Sequence, residues 1–459
     1  MKFGGTLLGD ADRIAANAAI VGRHVAAGGV VVVVSAMQRV TGSLLRSAAA
    51  ARNRETEARR EIQEELRHTH TDVCARLLPE PERVQAQDQI AATLRTSEDF
   101  CAGFSLVREL TPRALDALSS LGETLSAPLL AAVLRGTGLA AEPVDATELI
   151  VIDDRFGEAS VIFEPSRQRI RERLRPILDR GAVPVVTGFR GATRDGACTT
   201  LGRGGSDYRA TILAAALAAD EIWIWTDVDG MMTADPQLVP RAKVIPELSY
   251  REASELSFFG AKVLHPKSLE LPQRDGIPVL IKNSFAPARR GTLIDGSRQG
   301  RPGVRAIAAT ADAELFTVIG GQAMPFSRLA ALVFSWLDAD HLTTLVVTQS
   351  SAENALSFAV NNRDGARVRR RLDRERSLGE GGSVLAGIEE LPEMGVVVAV
   401  GEGMRGTPGI AARIFSSLAR LGINLAAIAQ GSSELSVSLV VGAADLPAAV
   451  RAMHEELGL

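Results

Sequence analysis

Thr199-Thr200-Leu201-Gly202-Arg203-Gly204-Gly205-Ser206-Asp207 leads into the alanine-rich stretch Asp207–Ala219, and Glu221–Trp225 follows, running into Thr226-Asp227-Val228-Asp229-Gly230. A glycine-rich loop opens a helix, and the helix is followed by a short apolar run that ends in turn-forming residues. The same alternation recurs outward from this stretch. Val30–Val34 ends at Ser35, Val183–Thr187 ends at Gly188, and Leu149–Ile152 and Pro278–Ile281 are further apolar runs. Short runs without polar alternation read as strands of a parallel sheet buried on both faces. Strands alternating with helices predict an α/β domain, with helices on both faces of a mostly parallel sheet, over residues 1–295.

Residues 286–303, rich in Gly, Pro and Arg, mark the end of that domain. Beyond them the chain repeats itself. Phe334-Ser335-Trp336-Leu337 matches Phe415-Ser416-Ser417-Leu418, and Phe334 to Phe415 and Gln349 to Gln430 are both 81 residues. Each copy reads as a βαββαβ, ferredoxin-like unit. The copies are expected at 303–385 and 386–459. The charged segment Arg363–Gly382 joins them, read as part solvated helix and part loop.

Composition narrows the class. Of 459 residues, 46% are hydrophobic and 23% charged, an ordinary soluble composition. A net charge of −4 speaks against nucleic acid as the main partner, because such binding faces are strongly basic. Cys74, Cys101 and Cys198 are isolated, which fits a reducing compartment. Met1–Gly5 has no signal-peptide core. Val30–Val34 and Ala214–Ala219, read as the most apolar stretches, are too short to cross a bilayer. A cytoplasmic protein with no membrane partner is expected. Residues 51–70 mix Arg and Glu at helical spacing and read as a solvated helix with His68 and His70 on its surface. Lysine occurs only at 2, 243, 262, 267 and 282, so a lysine here is wanted for its compact, mobile ammonium.

Four motifs carry chemistry. Lys2-Phe3-Gly4-Gly5-Thr6 reads either as a plain turn or as glycine N–H groups and a lysine meeting phosphate oxygens. In Leu201–Asp207, Ser206 is a helix cap or part of an anion site at a helix N-terminus. Trp225–Gly230 is an ordinary turn or a ligand loop at the carboxyl end of a strand. Phe259-Gly260-Ala261-Lys262-Val263-Leu264-His265-Pro266 holds a lysine, and its His265 reads as a structural or helix-end residue.

Together these motifs resemble the aspartokinase family of the amino-acid kinase superfamily. Ser35-Ala36-Met37 with Thr41, and Ser120–Ser126 around Glu123, match further family segments, and the two repeats look like its paired ACT domains. Gln349-Ser350-Ser351 and Ile428–Glu434 are most similar to the threonine-sensitive branch, which includes the kinase half of bifunctional aspartokinase–homoserine dehydrogenases. The dehydrogenase half is not seen, so a monofunctional kinase is expected. The resemblance implies an amino-acid kinase fold, a three-layer αβα domain with a mostly parallel sheet, followed by two ferredoxin-like ACT domains. It implies ATP-dependent phosphorylation of the L-aspartate side-chain carboxylate to 4-phospho-L-aspartate, the first step toward homoserine, threonine, methionine and lysine. It also implies a homodimer or homotetramer through the ACT domains, and threonine or lysine as feedback effectors.

Residue by residue, the resemblance makes Lys2 and Asp207 catalytic, with Lys2 on the transferring phosphoryl group and Asp207 orienting it. Gly4, Gly5, Ser35, Thr226, Asp227, Gly230 and Lys262 are expected along ATP. Thr41, Glu123, Phe189, Gly205 and Ser206 are expected around the amino acid, with Glu123 on the α-ammonium. Gln349 and Gln430 are expected to be regulatory. No protein metal ligand is implied, the Mg2+ being carried by ATP. The chain departs from the family at Leu7 (usually Ser), Gln237 (often Arg), Gly42 (usually Asn or Asp) and Ala197 (Arg in one branch). Losing the phosphate-facing Arg and Ser together weakens ATP handling by about 1–3 kcal/mol. The first strand looks clipped, with a true start expected upstream. Gly403–Gly409 keeps the glycine-rich ACT loop, whereas Gln322–Ser327 lacks those glycines, so altered or weakened threonine feedback is expected. Two other readings compete: a paralogue dedicated to specialised metabolism, and a non-catalytic amino-acid sensor.

Overall fold

Val32, Val33 and Val34 are all buried, which only a strand covered on both faces allows. The computed structural model describes residues 1–157, 159–202, 204–260, 263–296, 303–321, 324–350, 352–378 and 385–459. Arg203, Ala261, Lys262, Gln322, Ala323 and Ser351, all singled out in the sequence, lie outside the described residues, as do 297–302 of the expected boundary and 379–382 of the charged segment.

In chain order the elements begin with β1 (Lys2–Phe3), α1 (Ala11–Val25), β2 (Val32–Val34), α2 (Val40–Asn53), α3 (Thr56–Leu77), α4 (Glu82–Val107), α5 (Pro112–Ser119) and α6 (Leu121–Gly136). They continue with β3 (Ala141–Val144), α7 (Phe163–Asp179), β4 (Val183–Thr187), β5 (Arg190–Ala192), β6 (Cys198–Thr200), α8 (Gly205–Leu217), β7 (Ile222–Thr226), β8 (Glu247–Ser249) and α9 (Tyr250–Phe258). Then come α10 (Glu270–Asp275), β9 (Val279–Asn283), β10 (Thr292–Asp295), β11 (Ala306–Gly320), α11 (Phe326–Ala339), β12 (Thr344–Ser350), β13 (Ala355–Asn361) and α12 (Asn362–Leu378). The last are β14 (Leu385–Val400), α13 (Ile410–Ala419), β15 (Ala427–Gln430), β16 (Ser436–Gly442) and α14 (Leu446–Leu457).

The chain divides into two units, Met1–Met231 with Val263–Gly296, and Met232–Lys262 with Ser297–Leu459. In the first, strands follow the order β3-β4-β2-β1-β7-β9-β10, all parallel except β10. Phe3, Val34 and Trp225 join residues of α1, α2, α4 and α6 in one core.

Some expectations are corrected here. Leu149–Ile152 is buried but forms no ladder, and only single bridges, Val151 to Ala192 and Ile152 to Val161, tie it to neighbours. Ser166 Oγ accepts the Val151 N–H at 2.9 Å, where a neighbouring strand would otherwise do so. The 51–70 segment divides between α2 and α3, and His70 is wholly buried, its Nδ1 2.7 Å from Leu66 O, while His68 is exposed. The helical stretch Pro112–Gly136 is long and apolar enough to cross a membrane, yet 83% of its apolar window is buried inside the fold, as a core helix is.

The second unit holds a six-stranded sheet, β12-β13-β11-β14-β16-β15. β11 and β14 run antiparallel along their whole lengths, Ala306 opposite Val400 and Gly320 opposite Leu385. Moving β11 along the chain by the repeat length lays it on β14, so the long strand is itself repeated. The far half of β11 joins β13, and the far half of β14 joins β16. Each repeat therefore borrows its fourth strand from the other's long strand. The second repeat takes Ala306–Thr310, the opening of the first repeat's long strand. The charged segment is mostly α12, whose Val368 and Leu372 pack into the core with Phe316 and Trp336. It is the first repeat's second helix and not a linker. Residues of the 232–262 excursion belong to this unit through local bonds. Ile307 N donates to Thr233 O at 2.8 Å, and Thr233 Oγ1 lies 2.9 Å from His454 Nε2.

Burial lowers the His70 pKa from its ordinary 6.5. Below pH 6.5 the unfolded chain then binds the proton that the folded one refuses, so stability falls as pH falls. His70→Met should flatten this loss, which is at most about 1.4 kcal/mol per pH unit, in urea unfolding compared at acid and neutral pH.

Candidate active site

The carboxyl ends of β1, β2, β4, β7 and β9 lie in register at one edge of the first unit's sheet. Open α/β sheets bind ligands there. The strands run straight into the segments singled out above: Gly4-Gly5, Ser35-Ala36, Gly188-Phe189 and Asp227.

Lys2 Nζ lies 2.6 Å from Asp207 Oδ1, with both side chains 12% exposed. Asp207 stands in the first turn of α8, where the N–H groups of Ser206 and Asp207 have no carbonyl one turn back within the helix. The helix can begin there because two glycines allow close approach. Gly204 has φ 72°, and a Cβ on it would lie 2.3 Å from His265 Cβ. A Cβ on Gly188 would lie 2.4 Å from Ser206 Oγ. His265 itself accepts the Lys267 N–H at 3.3 Å and caps the short 3-10 helix Pro266–Leu269.

Glu123, on the first turn of α6, is buried, and its Oε1 accepts the Ala36 N–H at 3.2 Å. Ser126 Oγ, one turn on, donates to Ser35 O at 2.8 Å. Burial pushes the Glu123 carboxyl up to about 7, against the Ala36 N–H bond and the positive charges of Arg190 and Arg209. Phe189 takes the left-handed φ of 54°, and its ring backs onto Gly205. Thr41 Oγ1 lies against the same α6 turn, 3.6 Å from the Cβ position of Gly122. Thr226 Oγ1 donates to Asp227 Oδ1 at 3.2 Å at the exposed end of β7, and Gly230 is buried beyond it.

The departures also have places. Leu7 is wholly buried in the core, so it packs and carries no group toward solvent. Gly42 is exposed, with open space where a Cβ would be. Ala197 N donates to Thr193 Oγ1 at 3.0 Å in the turn between β5 and β6. Gln237 belongs to the second unit, where its N–H caps Asp235 at 2.8 Å. Gln349 and Gln430 are exposed on β12 and β15, the two outer strands of the second sheet. The 403–409 loop, read as a ligand loop, has part of its backbone engaged. Gly406 N donates to Glu434 Oε2 at 2.7 Å, and Gly403 O accepts from Gly303 N at 3.0 Å.

Sequence reasoning passed over three residues. Asp116 accepts from Thr199 Oγ1 at 2.7 Å, Thr200 Oγ1 at 2.8 Å and Gly157 N at 2.7 Å, anchoring the strand that enters the glycine-rich loop. Arg190 donates to Thr124 Oγ1, and Arg209 donates to Arg190 O. The sign available in the sequence was Arg209, an arginine directly before the small and largely apolar stretch Ala210–Leu217 of α8. Among the described residues no group of three His, Cys, Asp or Glu is placed to hold a metal ion.

Known proteins resemble this chain over both of its units. The amino acid kinase family matches residues 1–283, and an ACT domain matches residues 397–457. The bifunctional aspartokinase/homoserine dehydrogenase of Haemophilus influenzae is 38% identical over 73% of this chain and 41% of its own length. Aspartokinase 1, chloroplastic, of Arabidopsis thaliana is 31% identical over 99% of this chain and 79% of its own. The chain spans about half the length of the bifunctional relatives that it matches. E. coli aspartokinase III in complex with aspartate and ADP superposes with a TM-score of 0.86 at 28% identity, covering 100% of this chain and 99% of that one. Its complex with lysine and aspartate gives 0.76 at 30%, covering 99% and 98%. With its first 283 residues matching the amino acid kinase family, and aspartokinases similar to it over its whole length, this chain belongs to the aspartokinase family.

Proposed function

We propose that this chain is an aspartate kinase, transferring the terminal phosphoryl group of ATP to the side-chain carboxylate of L-aspartate. The products are 4-phospho-L-aspartate and ADP. The observation that carries the reading is the largely buried Lys2–Asp207 pair, 2.6 Å apart, between the first strand's glycines and the start of α8. The accepting carboxylate is already ionised at neutral pH, so the reaction asks for alignment of two anions and relief of their repulsion, not for a strong base.

In this reading Lys2 meets the transferring group and Asp207 holds its ammonium in place. Gly4, Gly5, Gly205 and Ser206 offer backbone donors at the helix start. Ser35, Thr226, Asp227 and Gly230 line the nucleotide, whose phosphates carry Mg2+, and the family resemblance assigns Lys262 to the nucleotide as well. Glu123 takes the α-ammonium, and Thr41 and Phe189 wall the amino acid. The kinase structure solved with aspartate and ADP, similar over nearly its whole length, supports both substrates. The second unit is assigned feedback regulation, by threonine or lysine at Gln349 and Gln430, and assembly into a dimer or tetramer through its outer strands. The protein is assigned to the cytoplasm, at the head of the route to threonine, methionine and lysine.

Hydroxylamine traps an acyl phosphate as its hydroxamate. With ATP, Mg2+ and aspartate the chain should yield aspartyl hydroxamate, and Lys2→Ala should lower kcat at least about 100-fold. Hydroxamate from glutamate alone, with none from aspartate, would overturn the assignment of substrate. Because Glu123 ionises only near pH 7, KM for aspartate should rise as pH falls below 7 and level off above it. A flat profile would remove Glu123 as the ammonium acceptor. Sub-millimolar threonine should leave most of the activity, and full inhibition there would show the feedback to be intact.

A further inference from the structure

Four buried polar atoms without a hydrogen-bond partner belong to three neighbouring residues: Glu123 Oε2, Arg190 Nε, and Nε and Nη1 of Arg209. Arg209 is 0% exposed, and of its three nitrogens only Nη2 is bonded, donating to Arg190 O. A guanidinium buried with so little compensation is costly, and an apolar side chain of that length would pack more favourably. What Arg209 does reach is informative. By holding the Arg190 carbonyl it holds the residue before it, Phe189, whose left-handed φ of 54° needs outside support. Arg190 extends the tie. Its Nη1 donates to Thr124 Oγ1, next to Glu123 on α6, and lies 3.4 Å from Asp145 Oδ2 beyond β3.

We propose that Arg209 and Arg190 are positioning residues for the amino-acid pocket. They lock Phe189 to the first turn of α6 and set positive charge behind Glu123. The inference rests on the aspartate kinase reading and assigns these two positions a share in amino-acid affinity, separate from the nucleotide. Around Glu123 the charged and titratable groups are Arg190 on β5 and Arg209 on α8, with Asp145 and Cys198 facing Arg209. Burial draws Arg209 down to about 9, so it remains a cation at neutral pH.

The test compares wild type with Arg209→Met, Arg209→Lys and Arg190→Met in hydroxamate kinetics across neutral pH. The Met variants should raise KM for aspartate about tenfold, with kcat and KM for ATP moving less than about threefold. The pH below which KM climbs should move upward, and Arg209→Lys should recover part of the loss. Loss of kcat and of both affinities together, with an unmoved pH profile, would mean that the arginines only support the fold and would overturn the proposal. If wild type makes no hydroxamate from aspartate, the kinase reading fails and stability becomes the readout. The loss of stability on raising pH toward 7 that Glu123 causes, absent in Glu123→Gln, should extend to higher pH in Arg209→Met. An identical curve would overturn the proposal without reference to activity.

Discussion

The contact between Lys2 and Asp207 is the constraint around which the first unit is arranged. β1 has only two residues, yet it lies between β2 and β7 in the middle of the sheet. Its lysine is largely buried against a carboxylate from the first turn of α8. Removing either partner leaves a poorly solvated charge, a loss of about 3–5 kcal/mol for a fully buried pair. Bringing α8 that close demands the rest. Gly188 must lack a side chain because Ser206 lies against it, and Gly204 must turn left-handed under His265. The result is a helix N-terminus, a lysine and two glycines at the same strand ends, which is what transferring a phosphoryl group between anions requires.

The second unit answers a different constraint. A four-stranded half-sheet with helices on one face leaves a strand edge bare, and a bare edge is a liability. Here the two repeats solve the problem together, because β11 and β14 each run through both halves and pair along their full length. Irregular register near Thr310–Ala313 and Leu391–Met394 lets the paired ribbon change direction midway. Neither repeat is complete without the other's long strand. The same unit holds residues 232–262, a piece of chain that in sequence lies within the span matched to the amino acid kinase family.

Much of the candidate site was legible because it sits in loops at strand ends. Strand ends announce themselves where an apolar run stops at Gly, Ser or Asp, and the glycine-rich loop before α8 fell where it was read. Patterns that depend on distant partners were misjudged. Leu149–Ile152 has the composition of a strand, but its backbone is satisfied piecemeal, by Ala146, Ala192, Ile162 and the Ser166 hydroxyl. His70, in a helix full of Arg and Glu, is wholly buried, which composition alone did not reveal. Pro112–Gly136 is a longer apolar stretch than Val30–Val34 or Ala214–Ala219, and the two acids within it, Asp116 and Glu123, are buried and engaged.

By itself the sequence determined the parallel α/β domain, the glycine-rich loops at its strand ends, the 81-residue repeat and the family. These are set by short-range spacing and by which side chains leave water, and both are written locally. Only the tertiary structure decided that the repeats exchange their long strands, that 232–262 packs with the second unit, and that Arg209 stands buried beside Glu123. Strand pairing across tens of residues, and the burial of a charge, depend on what arrives from elsewhere in the chain. No local pattern encodes the field that a buried guanidinium sets on a buried carboxylate.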